Sequence, residues 1–187
     1  MILAVWLLAS IPAVGWSASH ETTFELDPAR SRVHFVVSAM LHTVQGTFRV
    51  TRGHLRLAGP HGSVQGECVV DATSGDSDNP TRDRKMHTEV LESQRYPEIV
   101  FTPLQVRGQV VPEGVSTVEV DGVLTLQRAR HSLSVTAVVR TTGKDFTVAS
   151  SFRIPYVQWG LRDPSTFILP VGKQARISFE AAGYIRR

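Results

Sequence analysis

Apolar and polar residues alternate with a period of two along most of the chain. Val33, Phe35 and Val37 stand against Arg32 and His34, with Val36 as an imperfection. Thr47-Phe48-Arg49-Val50 runs on into His54-Leu55-Arg56-Leu57, and further short runs cover Val64 to Val70 and Ile99 to Phe101. Val118, Val120, Leu124 and Leu126 share a face opposite Thr117, Glu119, Asp121 and Thr125. Leu133, Val135, Ala137 and Val139 repeat the pattern, as do Phe146, Val148, Ser150, Phe152 and Ile154. Ala175, Ile177, Phe179 and Ala181 close the series against Arg176, Ser178 and Glu180. Side chains of a strand point alternately to its two faces, so this pattern predicts half-buried antiparallel strands. Turns are predicted at Gly59-Pro60-His61-Gly62, Pro112-Glu113-Gly114 and Thr142-Gly143-Lys144-Asp145.

The stretch from Asp76 to Arg95 breaks the rhythm. It is polar and charged, with Met86, Val90 and Leu91 at near-helical spacing. Asn79 is placed to cap a helix whose first residue is Pro80, where a missing N–H costs nothing. About eight strands with one helical insertion predict an all-β closed barrel or sandwich. An eight-stranded barrel is just wide enough to hold one small apolar ligand.

Residues Met1 to Trp16 are almost wholly apolar and carry no charge. The run is short of the roughly 20 residues that span a bilayer. Pro12 and Gly15 would break a helix near its end, and the small residues Ser17, Ala18 and Ser19 follow. Residues 1–19 are therefore expected to be a cleaved signal peptide, with cleavage after Ser17 or Ser19, although no Lys or Arg precedes the apolar run. Cleavage after Ala18 would set the bulky Trp16 at the third position before the cut. The expected location is periplasmic or secreted, or membrane-anchored if the segment stays uncleaved. Residues 20–187 form the one remaining domain.

At 187 residues and 42% hydrophobic composition, the chain can bury a core without disulfide staples. The net charge of +3 comes largely from Arg, since Lys occurs only at 85, 144 and 173. No Lys/Arg-rich run or aromatic-interleaved basic patch points to nucleic acid. The lone Cys68 sits in an apolar run and reads as a small strand residue. Histidines at 34, 42, 54, 61, 87 and 131 lack the close pairing of a metal site, His34 and His42 being the nearest approach to one. There is no Gly-x-Ser-x-Gly, no Cys-His pair and no phosphate or dinucleotide loop. Glu89 and Glu92 sit three apart on the predicted helix, where a solvated face is the ordinary explanation.

Seven short motifs in order resemble the YceI-like proteins over roughly Phe24 to Gly183. They are Asp27-Pro28-Ala29-Arg30-Ser31 before Val33-His34-Phe35; Gly46-Thr47-Phe48; Asp71-Ala72-Thr73-Ser74 leading to Asn79-Pro80-Thr81-Arg82-Asp83; Tyr96-Pro97 before Ile99; Val120-Asp121-Gly122-Val123-Leu124-Thr125-Leu126; Trp159-Gly160-Leu161; and Val171-Gly172-Lys173. The chain departs from the pattern after Arg82-Asp83, where Arg84-Lys85-Met86-His87 stands, and after Leu126, where Gln127-Arg128-Ala129-Arg130-His131 replaces a glycine turn.

The resemblance implies an eight-stranded, extended lipocalin-like antiparallel barrel that carries a hydrophobic isoprenoid lipid, a polyprenyl lipid or isoprenoid quinone. It implies no cofactor and no catalysis. Transient membrane contact and a homodimer both remain compatible with it. On this reading Val33, Phe35, Val37, Phe48, Phe101, Leu124, Leu133, Val135, Phe152 and Phe179 line the apolar lumen. Alternation alone leaves open whether each of them lines a lumen or simply fills a core. Arg82 and Asp83 either frame the mouth near a headgroup or form an ion pair tying the helix to the barrel. The alternative to a carrier is a filled barrel that engages a partner through the helix and the Arg128 to His131 hairpin. A hydrolase using Glu89 or Asp83 would need convergent polar groups in a cleft.

Overall fold

The structure, a computed structural model, describes residues 21–40, 43–58, 64–166 and 170–186. The expected leader, His42, His61 and the Gly59 to Gly62 turn lie outside the described residues. Nine strands are present: β1 (Glu21–Leu26), β2 (Arg32–Ala39), β3 (Thr43–Ala58), β4 (Val64–Asp76), β5 (Glu98–Arg107), β6 (Gly114–Leu126), β7 (Ala129–Thr142), β8 (Asp145–Ile154) and β9 (Val171–Arg186). Every pairing is antiparallel, and β2 to β9 close into an eight-stranded barrel, with β3 pairing both β2 and β4. Closure gives every strand of the barrel a partner on both sides along part of its length.

The extra strand shares a gap with β2. Both lie between β3 and β9, end to end, β1 pairing Phe24 with Leu55 and Ile185, β2 pairing Val33 with Phe48 and Phe179. The break between them is written in Asp27-Pro28-Ala29-Arg30-Ser31. Asp27 caps a 3-10 turn at Pro28–Arg30 by accepting from the Ala29 N–H at 2.9 Å. Buried Ser31 donates its hydroxyl to the Asp27 carbonyl at 2.7 Å. The Asp27 N–H donates to the Ala182 carbonyl at 2.8 Å, which keeps this stave joined to β9.

The expected helix forms as α1 (Pro80–Lys85), followed by a π-helical turn at Met86–Val90. Asn79 accepts from the Arg82 N–H at 3.0 Å, and Pro80 opens the helix. This insertion and the β8–β9 connection cover one end of the barrel. Leu91, Tyr156 and Leu161 are buried there in one cluster with Val33, Phe35, Phe48 and Leu126. Trp159-Gly160-Leu161 makes the turn that seats Leu161: Gly160 takes a φ of 95°, and the Leu161 N–H donates to the Tyr156 carbonyl at 3.0 Å. At the other end Phe24, Phe146 and Ile185 pack together. Val110, on the β5–β6 link, touches that cluster and the one formed by Val118, Ala137 and Val139.

The Asp71-Ala72-Thr73-Ser74 motif stitches β3 to β4. Partial burial disfavours the Asp71 carboxylate, but it accepts from the Thr73 hydroxyl, the Thr73 N–H and Arg49, and these hold its carboxyl below the usual range. A carboxyl lowered on folding contributes stability above its unfolded value of about 3.9 and loses it as pH falls through the folded value. Asp71→Asn should therefore show a shallower loss of stability below about pH 4 than the wild type, read by urea unfolding at stepped pH.

Candidate functional site

The barrel holds a cavity of about 260 Å³ between its two packed ends. Its walls are apolar strand residues that alternation turns inward. Phe24, Leu26 and Val33 come from the first stave, Phe101 and Val106 from β5, Val120 and Leu124 from β6, Leu133 and Val135 from β7, Phe152 from β8 and Phe179 from β9. Ser150, His54 and Glu67 also belong to the wall; the Ser150 hydroxyl donates to the Thr136 carbonyl at 2.7 Å, and Glu67 accepts from Arg52 at 2.8 Å. Unfilled apolar space costs roughly 24 cal/mol per Å³. At that rate a lumen of about 260 Å³ leaves on the order of 6 kcal/mol of packing unrealised. Such a cavity stays dry, since water finds few polar partners in it.

Eight of the ten residues expected to line a lumen do so: Val33, Phe48, Phe101, Leu124, Leu133, Val135, Phe152 and Phe179. Phe35 and Val37 face the same way as Val33 but are not part of the cavity wall. They pack into the cluster under the helix, where the Phe35 ring lies 5.3 Å from that of Phe48. Periodicity identifies the face of a strand, not the level along the barrel at which packing closes. The expectation missed Phe24, Leu26, Val106 and Val110, although Phe24-x-Leu26 carries the same alternation in miniature. A bulge at Pro103/Gln105 resets the parity of β5 and brings Val106 inward.

Cys68 belongs to the wall, and burial pushes its thiol up to about 12, helped by the nearby Glu67 charge. That suits a wall residue and not a nucleophile. At pH 8 the folded protein should react with iodoacetamide at least about a hundredfold more slowly than the urea-unfolded chain, because the thiolate carries the reaction. The ratio of the two alkylation rates by mass spectrometry checks this.

Arg82 and Asp83 do not pair with each other and are not part of the cavity wall. Both close on buried Ser77. Asp83 accepts from the Ser77 N–H and hydroxyl, while Arg82 donates through Nε to the Ser77 hydroxyl at 2.8 Å and through Nη2 to its carbonyl at 2.7 Å. The motif is thus a clasp that fixes the junction of β4 with the helix. His87 extends it: its Nε2 donates to the Gly75 carbonyl at 2.9 Å, and its Nδ1 lies 2.9 Å from the Ser93 hydroxyl. Gln127, with a φ of 54°, turns the β6–β7 hairpin in place of glycine and donates to the Val90 carbonyl at 3.0 Å. In the same hairpin His131 stacks flat on Trp159, with ring centroids 4.1 Å apart.

The acidic pair disperses. Glu89 meets Arg162 at 3.5 Å and Glu92 meets Arg95 at 3.5 Å, both on the surface.

The model of the YceI-like domain family matches residues 24–182. In fold, the chain is similar to BcnA of Burkholderia cenocepacia, with a TM-score of 0.68 at 17% identity over 84% of this chain and 98% of that one. It is similar to a polyisoprenoid-binding domain from Saccharophagus degradans implicated in plant cell wall breakdown, with a TM-score of 0.65 at 15% identity over 86% of this chain and 97% of that one. A mutant of the Campylobacter jejuni YCEI protein with a monobromobimane guest gives a TM-score of 0.55 at 12% identity over 98% and 94% of the two chains. At these identities the structural likeness concerns the fold. No curated protein matches the chain.

Proposed function

The chain belongs to the YceI-like domain family, and from that premise we propose that it binds an isoprenoid-type lipid, a polyprenyl lipid or isoprenoid quinone, in the barrel lumen. One observation carries the reading: the lumen is an apolar cavity with no unsatisfied hydroxyl on its wall and about 260 Å³ of unfilled space. A tail that enters it gains about 25 cal/mol for each Å² of apolar surface removed from water. No covalent step is required. The carboxylates that could serve catalysis are engaged elsewhere, Asp83 on Ser77, Glu89 on Arg162 and Glu92 on Arg95. The isoprenoid class follows the family and the S. degradans domain, which is described as polyisoprenoid-binding. The apolar run Met1 to Trp16 with small residues after it supports a periplasmic or secreted location.

Equilibration with tritiated geranylgeraniol followed by gel filtration tests the reading. Saturable co-elution near one lipid per chain, reduced by excess unlabelled prenyl alcohol but not by palmitate, is expected. Absence of co-elution would refute it.

A further inference from the structure

The barrel wall is interrupted between β1 and β2, as it also is between β4 and β5 beyond the Cys68–Phe101 pair and between β7 and β8 beyond the Ala137–Ser150 pair. On β3, pairing with β1 ends at His54 and pairing with β2 begins at Arg49, so Val50 to Gly53 have no partner on that side. The opposite flank of the same stave stays joined to β9 through Asp27 and Ala182. The break is therefore one-sided, set by the 3-10 turn at Pro28–Arg30. A polar surface cleft of about 410 Å³ lies over it. Leu26 and His54 belong to the walls of both the cleft and the apolar lumen. Gly53 brings no side chain to the partition: a Cβ there would stand 2.4 Å from the Leu26 Cδ1. The half-buried Leu26, beside the bare Gly53, thus lies with His54 between the two spaces. Both ends of the barrel, by contrast, are packed with buried apolar clusters.

We propose that the break between β1 and β2 is a side port, that Leu26 is its plug, and that a bound amphiphile threads its tail past Leu26 into the lumen while an uncharged polar head, a hydroxyl or a carbonyl, rests in the cleft. The port rests on the reading of the lumen as a lipid site. The class of head follows from the charges of the cleft. Its three guanidinium groups already have carboxylates: Arg52 holds Glu67 and Glu98, both at 2.8 Å, Arg56 holds Glu21 at 3.0 Å, and Arg186 holds Glu25 at 2.6 Å. Glu25 itself belongs to the cleft wall. A phosphate would have to displace a carboxylate or lie beside one, whereas a neutral head can accept from spare guanidinium N–H groups without adding charge.

Release of tritiated geranylgeraniol from the loaded protein to phosphatidylcholine vesicles tests the port. Leu26→Trp should slow release at least tenfold and Leu26→Ala should speed it at least tenfold, while Val90→Trp, at the helix-covered end and outside the cavity wall, leaves the rate within twofold. The two Leu26 variants act in opposite directions, so misfolding of either leaves the other to decide. Wild-type rates in Leu26→Ala, or slowing by Val90→Trp in place of Leu26→Trp, would overturn the port and leave the lumen reading standing. Failure of the wild type to take up geranylgeraniol would overturn both. Geranylgeranyl phosphate should bind at least tenfold more weakly than geranylgeraniol; equal or tighter binding would overturn the neutral head.

Discussion

Val135→Trp should abolish lipid binding while leaving the barrel folded. Val135 lies on the inner face of β7, paired with Val120, and both belong to the wall of the lumen. An indole at this position occupies space that a tail would need. Empty apolar space costs roughly 24 cal/mol per Å³, so the ring recovers packing that the empty protein lacks. Affinity for geranylgeraniol should fall at least tenfold, and the thermal midpoint of the lipid-free variant should equal or exceed that of the wild type. Most large substitutions in a filled core act the other way, destabilising by about 1–3 kcal/mol. The pair of measurements thus separates a lumen from a core. A variant that binds lipid normally, or one that loses 1–3 kcal/mol as overpacked cores do, would show that Val135 faces no usable space.

Gly46→Ala should be among the most damaging small changes in the molecule. Gly46 opposes Phe35 across the β2–β3 ladder. A Cβ there would meet the Asp76 carbonyl at 2.3 Å and the Phe35 Cζ at 2.5 Å. The ring could move only by leaving its contact with Phe48, and the carbonyl is backbone. Overpacking of this kind costs about 3 kcal/mol, at the upper end of the usual range. For a domain of this size that is a fall of roughly 6–12 °C in melting temperature. Gly143→Ala is the comparison: its φ is 61° and nothing lies within 4 Å, so only backbone strain of about 1 kcal/mol enters. Equal melting temperatures for the two variants would contradict the steric account.

These two residues also show what was legible in the sequence. Val135 could be read from period-two alternation, because β7 pairs without a bulge along its whole length. Gly46 could be read as a motif residue, but its reason, a ring from the neighbouring strand lying where a side chain would be, needs the register. Asn79 and Pro80 announced the helix by local chemistry that depends on no distant partner. Arg82 and Asp83 were legible as a pair and misleading as a site, since nothing local shows that both turn back onto Ser77. The strand β1 escaped notice because it is six residues long and begins with Glu-Thr-Thr, too short to establish a period. The division of the first stave, and with it the break in the wall, depends on where three strands end relative to one another. Such information lies in pairing, not in any one segment.

The central claim is that the lumen holds a lipid. Its most direct test is the mass of the protein purified from cells, measured under native and then denaturing conditions. A native excess of several hundred daltons, on the order of the mass of a prenyl lipid, is predicted; it should vanish on denaturation and reappear in the organic extract as a prenyl compound. A bare native mass that incubation with prenyl alcohols and isoprenoid quinones leaves unchanged would contradict the claim and leave a barrel that acts through its surface.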